Sequence, residues 1–414
     1  MSIKARAMSA VALFVSMLTV PLAAEAAKDR LAAGGQSLAD GRLATAKADL
    51  QSALAGFRRK ADPRGEAVTL ILLATAEVNL GNIDVARGHL QCASKIFRER
   101  NDVVGKWLAV SSLAQLERAI GHYSAALAHQ DEARRIVATA EQSNEALTLA
   151  TFELMASAFG LPFIDLTDAP TGAEAYLKGV MLAGVLKPLT QDAYAGILIE
   201  TGQHDRAERE LEAAIAAAGP FAGHYQYSIA AHFGELRYRQ RRFSEARMQY
   251  KTALQGSLRM PFNPPGEQWI KVGIYGRLAE LDAAQNRIDD ALAWNSRSLE
   301  AVRGARNQLK ESAVLEELGL LLLQSDRLSE AERALAEALE IAIAIHSEKQ
   351  QASIESRLAD VSFLTGNYGA AVSHLEEAIQ LNQTLHNQVT EGLLWANLAV
   401  LYSSHPKTTA PTCC

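Results

Sequence analysis

The chain repeats itself. The stretches GRLATA, GNIDVA, GHYSAA, GQHDRA, RRFSEA, NRIDDA, DRLSEA and GNYGAA each close on an alanine: Ala46, Ala86, Ala126, Ala207, Ala246, Ala291, Ala331 and Ala371. These anchors follow one another at 40, 40, 81, 39, 45, 40 and 40 residues, and the interval of 81 reads as two units, one of them decayed. Self-similarity at a period of roughly 20–50 residues marks a chain built from stacked supersecondary units.

The anchors fix other positions. Seven residues after each comes a second alanine (Ala53, Ala93, Ala133, Ala214, Ala253, Ala338, Ala378), replaced once by the small Ser298. Four after comes Leu50, Leu90, Leu211, Tyr250, Leu335 or Leu375, while Gln130 and Asn295 break the rule. Five before comes Gly41, Gly81, Gly121, Gly202 or Gly366, and twelve before comes Ala74, Ala114, Ala195, Gly234, Ala279, Gly319 or Ala359. These spacings describe a helical hairpin. The glycine tolerates positive φ and ends the first helix. Small residues at matched heights let the two helices approach, and large neighbours fill the grooves. Each hairpin keeps two apolar faces, so it is stable only when stacked. Aromatics at 6%, 11 prolines and the near absence of alternating Val/Ile/Thr runs agree with an all-α chain of antiparallel helix pairs.

The pattern resembles the tetratricopeptide repeat (TPR), with its Trp or Leu, small residue and Tyr, followed by Ala, Phe or Leu, and Ala. That unit is usually about 34 residues. The longer unit here resembles the variety in kinesin light chain and in exported or CHAT-protease-associated bacterial proteins. The resemblance covers nearly all of residues 27–404. It implies a right-handed superhelical solenoid whose first helices line a concave groove for an extended peptide or partner helix. Two stretches depart from it. Residues 160–190 keep helical character but lose the anchor, and residues 255–269 (QGSLRMPFNPPGEQW) add five residues and a Pro-rich loop. Each is either a bend or contact loop, or a tolerated insertion.

The N-terminus has a positive start at Lys4 and Arg6, an apolar stretch from Met8 to Leu22, and small residues at Ala24-Glu25-Ala26. This is the layout of a signal peptide over 1–26, too short for a comfortable membrane span and without a lipobox cysteine. An uncleaved anchor is the alternative. The mature chain is then expected to be periplasmic or secreted, with no integral span. Its organisation reads as a TPR block over 27–159, a degenerate repeat or linker over 160–187, a second block over 188–404, and a disordered tail over 405–414.

The last segment, Thr390–Ser404, reads as a capping helix. Trp395, Leu398 and Tyr402 are expected to cover the hairpin anchored by Ala371 and Ala378, and Pro406 ends the helix. The rival reading is a truncated gene. Cys92, Cys413 and Cys414 form an odd set without metal-ligand spacing.

The mildly acidic net charge of −6 and the lack of a basic block disfavour nucleic acid. No metal, phosphate-loop, nucleophile-elbow or dinucleotide motif is present in the sequence. His129 and Glu132 share a helix face, and Glu311-Ser312 is similar to a lytic-transglycosylase pair without the Gly-Leu-Met-Gln run that should follow. Asn382-Gln383-Thr384 fits a glycosylation acceptor but falls within a helix. No catalytic, cofactor or metal residues are expected.

What remains, on the TPR resemblance, is the groove. Fourteen residues before successive anchors stand Ser112, His232, Arg277, Glu317 and Arg357; eleven before stand Gln115, Glu235, Glu280, Leu320 and Asp360. Asn79 belongs to the same surface, and Asn397 takes the fourteen-before place ahead of Pro411, where the next anchor would fall. Arg277 and Arg357 either grip carboxylates or carbonyls of a partner or pair with Glu280 and Asp360 along their own helices. The Lys/Asn carboxylate clamp of chaperone-binding TPRs is absent. The expected function is a non-catalytic exported scaffold for a protein or peptide. The alternatives are a sensor or regulatory arm of a separately encoded exported protease or cell-wall enzyme, and, more remotely, a superhelical enzyme.

Overall fold

The structure is a computed structural model that describes residues 26–143, 150–151, 154–155, 182–219, 222–257, 267–304, 306–385 and 387–404. The signal segment up to residue 25, most of 160–187, the Pro-rich 258–266 and the tail with Pro406, Pro411, Cys413 and Cys414 lie outside the described residues. Within them the regular elements are all helical. In chain order these are α1 (26–39), α2 (Leu43–Arg59), α3 (Pro63–Leu80), α4 (Ile83–Glu99), α5 (Val103–Ala119) and α6 (Tyr123–Gln142). Then follow a π-helical turn at Leu182–Leu186, α7 (Lys187–Glu200), α8 (His204–Ala218), α9 (Ala222–Arg239), α10 (Phe243–Ser257) and α11 (Glu267–Ala283). The chain continues with α12 (Ile288–Gly304), α13 (Gln308–Gln324), α14 (Leu328–Ala344), α15 (Glu348–Leu364), α16 (Tyr368–Thr384) and α17 (Gln388–Ser404). The described chain clusters into two compact units, one holding most of residues 26–190 and the other most of 191–404. In each, odd-numbered helices open a hairpin and even-numbered ones carry the anchor alanine.

The turns follow one rule. Gly41, Gly81, Gly121, Gly202 and Gly366 have φ between +74° and +90°. Where the glycine is missing, Arg241, Asn286 and Asp326 adopt the same left-handed conformation. A side chain there costs about 1 kcal/mol, and the hairpin imposes it regardless. The residue that follows closes the helix end: Arg242, Arg287 and Arg327 donate their amides to the carbonyls of Arg237, Asp282 and Leu322, satisfying carbonyls the helix would otherwise strand.

All eight anchor alanines and the seven second alanines are buried. Opposite them the chain sizes its partners. A Cβ on Gly234 would lie 2.5 Å from the Tyr250 ring, and one on Gly319 would lie 2.6 Å from Leu335 Cγ. Tyr250 is the largest residue at its repeat position, and the facing residue is the smallest.

The two departures from the leucine rule share one explanation. Gln130 and Asn295 are fully buried, and their amides donate to the carbonyls of Thr190 (3.0 Å) and Val314 (3.3 Å). Both acceptors stand seventeen residues before the next anchor, so each amide replaces a leucine at the hairpin-to-hairpin contact with a hydrogen bond. Beside Gln130, Trp107 Nε1 donates to Thr190 Oγ1 at 2.7 Å. Leu182 and Leu186 pack on Val137 and Ala140.

A second regularity escapes inspection of any one unit. The residue after an anchor pairs with the residue nine before the next: Lys47 with Glu77 and Arg87 with Glu117, both at 2.8 Å, then Glu208 with Arg237 in reversed polarity, then Arg247 with Asp282. At the next junction the same two places hold Leu292 and Leu322 in one apolar cluster. Each pair staples the second helix of one hairpin to the first helix of the next, and the carboxylates of Glu77, Glu117 and Asp282 are buried.

The final helix corrects the expectation for Trp395. Leu394, Leu398 and Leu401 pack on Val372, Leu375, Ala378 and Ile379, with Tyr402 alongside. Trp395 is 49% exposed. It lies about 100° around the helix from Leu394, on the face that in α15 meets α16. No following helix covers that face among the described residues. Asn382 is buried and donates to the Ala378 carbonyl, so it is no glycan acceptor in this fold.

Candidate functional site

No side-chain cluster among the described residues has metal-ligand geometry, and no described helix is long and apolar enough to cross a membrane. Ser312 is buried and donates to the Ala338 carbonyl at 2.9 Å, while Glu311 pairs with Arg303 at 2.7 Å. Glu132 pairs with Arg98 at 2.7 Å. These contacts give both sequence look-alikes structural work.

The groove residues fall on odd-numbered helices. Asn79 is half-buried at the end of α3; on α5, Ser112 is half-buried and Gln115 exposed. In the C-terminal unit, α9, α11, α13 and α15 follow one another and build a continuous polar lane. At its start His232 Nδ1 meets Asp192 Oδ1 of α7 at 2.7 Å, rather than pairing with Glu235 along its own helix. Glu235 is enclosed. It accepts from Arg239 Nε at 2.7 Å and from the Tyr250 hydroxyl at 3.3 Å, and it faces the Arg277 guanidinium at 3.7 Å. Burial opposes its charge, but Arg277 and Arg239 outweigh burial and hold its carboxyl below the usual range.

Arg277 donates to Glu280 at 2.8 Å, and Arg357 stands 3.8 Å from Asp360. The arginines therefore pair inside the lane. Glu316, half-buried, accepts from Ser353 of α15 at 2.6 Å. Asn397, at the far end on α17, is exposed.

The lane is electrostatically uneven. Carboxylates (Glu235, Glu280, Glu316, Glu317, Asp360) outnumber arginines (Arg239, Arg277, Arg357). Burial raises the carboxyls of Glu316, Glu317 and Asp360 above their usual range, and for Glu317 the nearby Glu280 adds to the rise. Glu317 is exposed, with its carboxylate beside Gly276 of α11. Sequence reasoning missed Asp192, Arg239, Glu316 and Ser353 as lane members. Their only signal was a polar residue one helical turn from a groove position, a spacing shared with many solvated residues.

The stacked antiparallel hairpins, the left-handed turn before every anchor and the buried alanine pairs define an all-helical repeat fold like that of tetratricopeptide repeats. No family model matches the sequence, and no curated protein matches it. Among solved structures the chain is similar to BtubC (BKLC) from P. vanneervenii at 21% identity and a TM-score of 0.41, over 53% of this chain and 85% of that one. It is also similar to a signal transduction ATPase with a tetratricopeptide repeat sensor, PH0952 from Pyrococcus horikoshii, at 13% identity and a TM-score of 0.49. There it covers 86% of this chain but 49% of that one, so the chain spans about half of that protein. A third is a Rap protein complexed with competence and sporulation factor, at 8% identity and a TM-score of 0.48, over 93% of this chain and 100% of that one.

Proposed function

We propose that the protein is an exported, non-catalytic scaffold that holds a protein or peptide along the lane of α9, α11, α13 and α15. The carrying observation is Glu317. Its exposed carboxyl is held above its usual range by desolvation and by Glu280, with Arg277 donating to Glu280 rather than to it. A partner that brings a Lys, an Arg or a donating backbone amide relieves that cost, so the lane selects basic or donor-rich segments over acidic ones. Export rests on the N-terminal charge and apolar pattern alone. The domain limits of 27–159, 160–187 and 188–404 remain part of this reading. A sensor arm for a separately encoded exported protease or cell-wall enzyme uses the same lane, and differs in what the partner does after binding.

The test is a pull-down from the periplasmic or secreted fraction, run in parallel with Glu280→Lys/Glu317→Lys. A partner retained by the natural chain and lost with the variant supports the reading. A partner held equally by both removes the lane from the function. Addition of the natural chain changing the captured protein's enzymatic rate favours the sensor arm. N-terminal sequencing of the extracted protein should begin at Ala27 or within a few residues, and an intact Met1 on a cytoplasmic protein overturns export.

A further inference from the structure

The last helix carries more apolar surface than its packing uses. α17 spends Leu394, Leu398 and Leu401 on α16. On another face Val389, Leu393 and Val400 are 78%, 64% and 60% exposed, with exposed Ala396 between them. The equivalent places of α15 hold Lys349, Ser353, Ser356 and Asp360. A helix that is apolar on several faces is normally covered on several faces. The four residues recur at steps of four, three and four, which is the seam spacing of helices in knobs-into-holes contact.

The seam is also its own antiparallel complement. Its midpoint falls between Leu394 and Trp395. A two-fold axis there sets Val389 opposite Val400 of a second copy and Leu393 opposite Ala396, so equal meets equal and large meets small. The flanking Gly392 and Asn397 oppose each other by the same symmetry. The sole charged residue of α17, Glu391, lies off the seam, so pairing brings no like charges together. An isologous interface uses one patch on both copies and so needs a patch that complements itself, as this one does in size.

We propose that two copies of this chain pair through antiparallel α17 helices, with Val389, Leu393, Ala396 and Val400 interdigitating across a two-fold axis. From these exposures the seam amounts to about 400 Å² per copy, or about 800 Å² for the pair if fully covered. With Gly392, Asn397 and part of Trp395 the interface reaches the roughly 1,000 Å² that a specific contact needs, at the weak end of the scale. The seam takes in Asn397 at the far end of the lane, while Glu235, Arg277 and Glu317 take no part in the pairing.

Sedimentation velocity on the full chain between about 1 and 100 µM tests it, a range matched to weak interfaces of this size. A concentration-dependent dimer is expected. Val400→Asp buries two carboxylates in the seam and should weaken the dimer by at least about tenfold while leaving helicity intact, since Val400 is largely exposed. Ala396→Leu sets leucine against leucine and should weaken pairing, whereas Leu393→Ala/Ala396→Leu exchanges large and small across the axis and should restore it to within a few-fold. A chain that stays monomeric throughout refutes the proposal and leaves the seam to a helix of another protein. A dimer indifferent to Val400→Asp, or a swap no better than Ala396→Leu alone, refutes it equally.

Discussion

Replacing Asp282 with alanine should be the most costly polar truncation in the C-terminal unit. Its Oδ1 accepts from both Arg247 and Arg287, its Oδ2 accepts from Trp294 Nε1 at 3.0 Å, and the side chain is fully buried. Three charge-assisted bonds, one from Arg247 and two from Arg287, at about 1.5–3 kcal/mol each, and one neutral bond near 1 kcal/mol set the upper limit. Arg247 and Arg287 keep 26% and 37% of their side-chain surface in water, so both can rehydrate and recover much of the loss. The expected cost is therefore about 3 kcal/mol, the low end for breaking a buried pair. Urea unfolding gives the total. Hydrogen exchange should place the lost protection in α10–α12, because coupling in a repeat array runs between neighbours. Arg247→Leu/Asp282→Leu copies the Leu292–Leu322 junction and should recover at least about 1 kcal/mol relative to Asp282→Leu alone. A loss below about 0.5 kcal/mol for Asp282→Ala, or equal protection loss along the whole chain, would show that the ion-pair staples do not hold the stack together.

Gly234→Ala should destabilise by about 1–3 kcal/mol by driving a methyl into the Tyr250 ring, whereas Gly273→Ala, which meets nothing within 4 Å, should be neutral or stabilise α11 by up to about 1 kcal/mol; thermal melts compare them. Leu398→Ala should cost about 2–5 kcal/mol and Trp395→Ala about 1 kcal/mol, since half of the indole is already in water; the reverse order would mean that Trp395 is buried in solution. Stability should rise gently as pH falls from 7 toward about 5, because Glu316, Glu317 and Asp360 have raised carboxyls and bind protons more readily folded than unfolded. It should then fall below about pH 4, where the carboxyls of Glu117, Glu208 and Asp282, held low by their arginines against burial, must take up protons. Glu317→Gln should flatten the first slope in urea titrations across pH, and an unchanged slope would contradict a raised carboxyl at Glu317.

The repeat was legible because its physics is local. A left-handed residue five before an anchor, a small residue twelve before and alanines at the anchor and seven beyond all act within one hairpin, so their spacing survives in the sequence even where Arg241, Asn286 and Asp326 replace glycine. The shared face was legible for the same reason: a helix period places His232, Glu235, Arg277, Glu280, Arg357 and Asp360 on one kind of face. Only the tertiary structure decided which of them pair. His232 turned to Asp192 on the preceding odd-numbered helix, Glu235 gathered partners from α9, α10 and α11, and Gln130 and Asn295 proved to be buried donors rather than lapses. The staples from Lys47–Glu77 to Arg247–Asp282 join residues about 30 positions apart across helices that stacking alone brings together. Periodicity tells a residue which face it occupies; the offset between neighbouring hairpins, set by side-chain volumes at their contact, decides what stands across from it. Trp395 shows the limit most plainly: its spacing promised burial, and its exposure follows from which of two apolar faces found a neighbour.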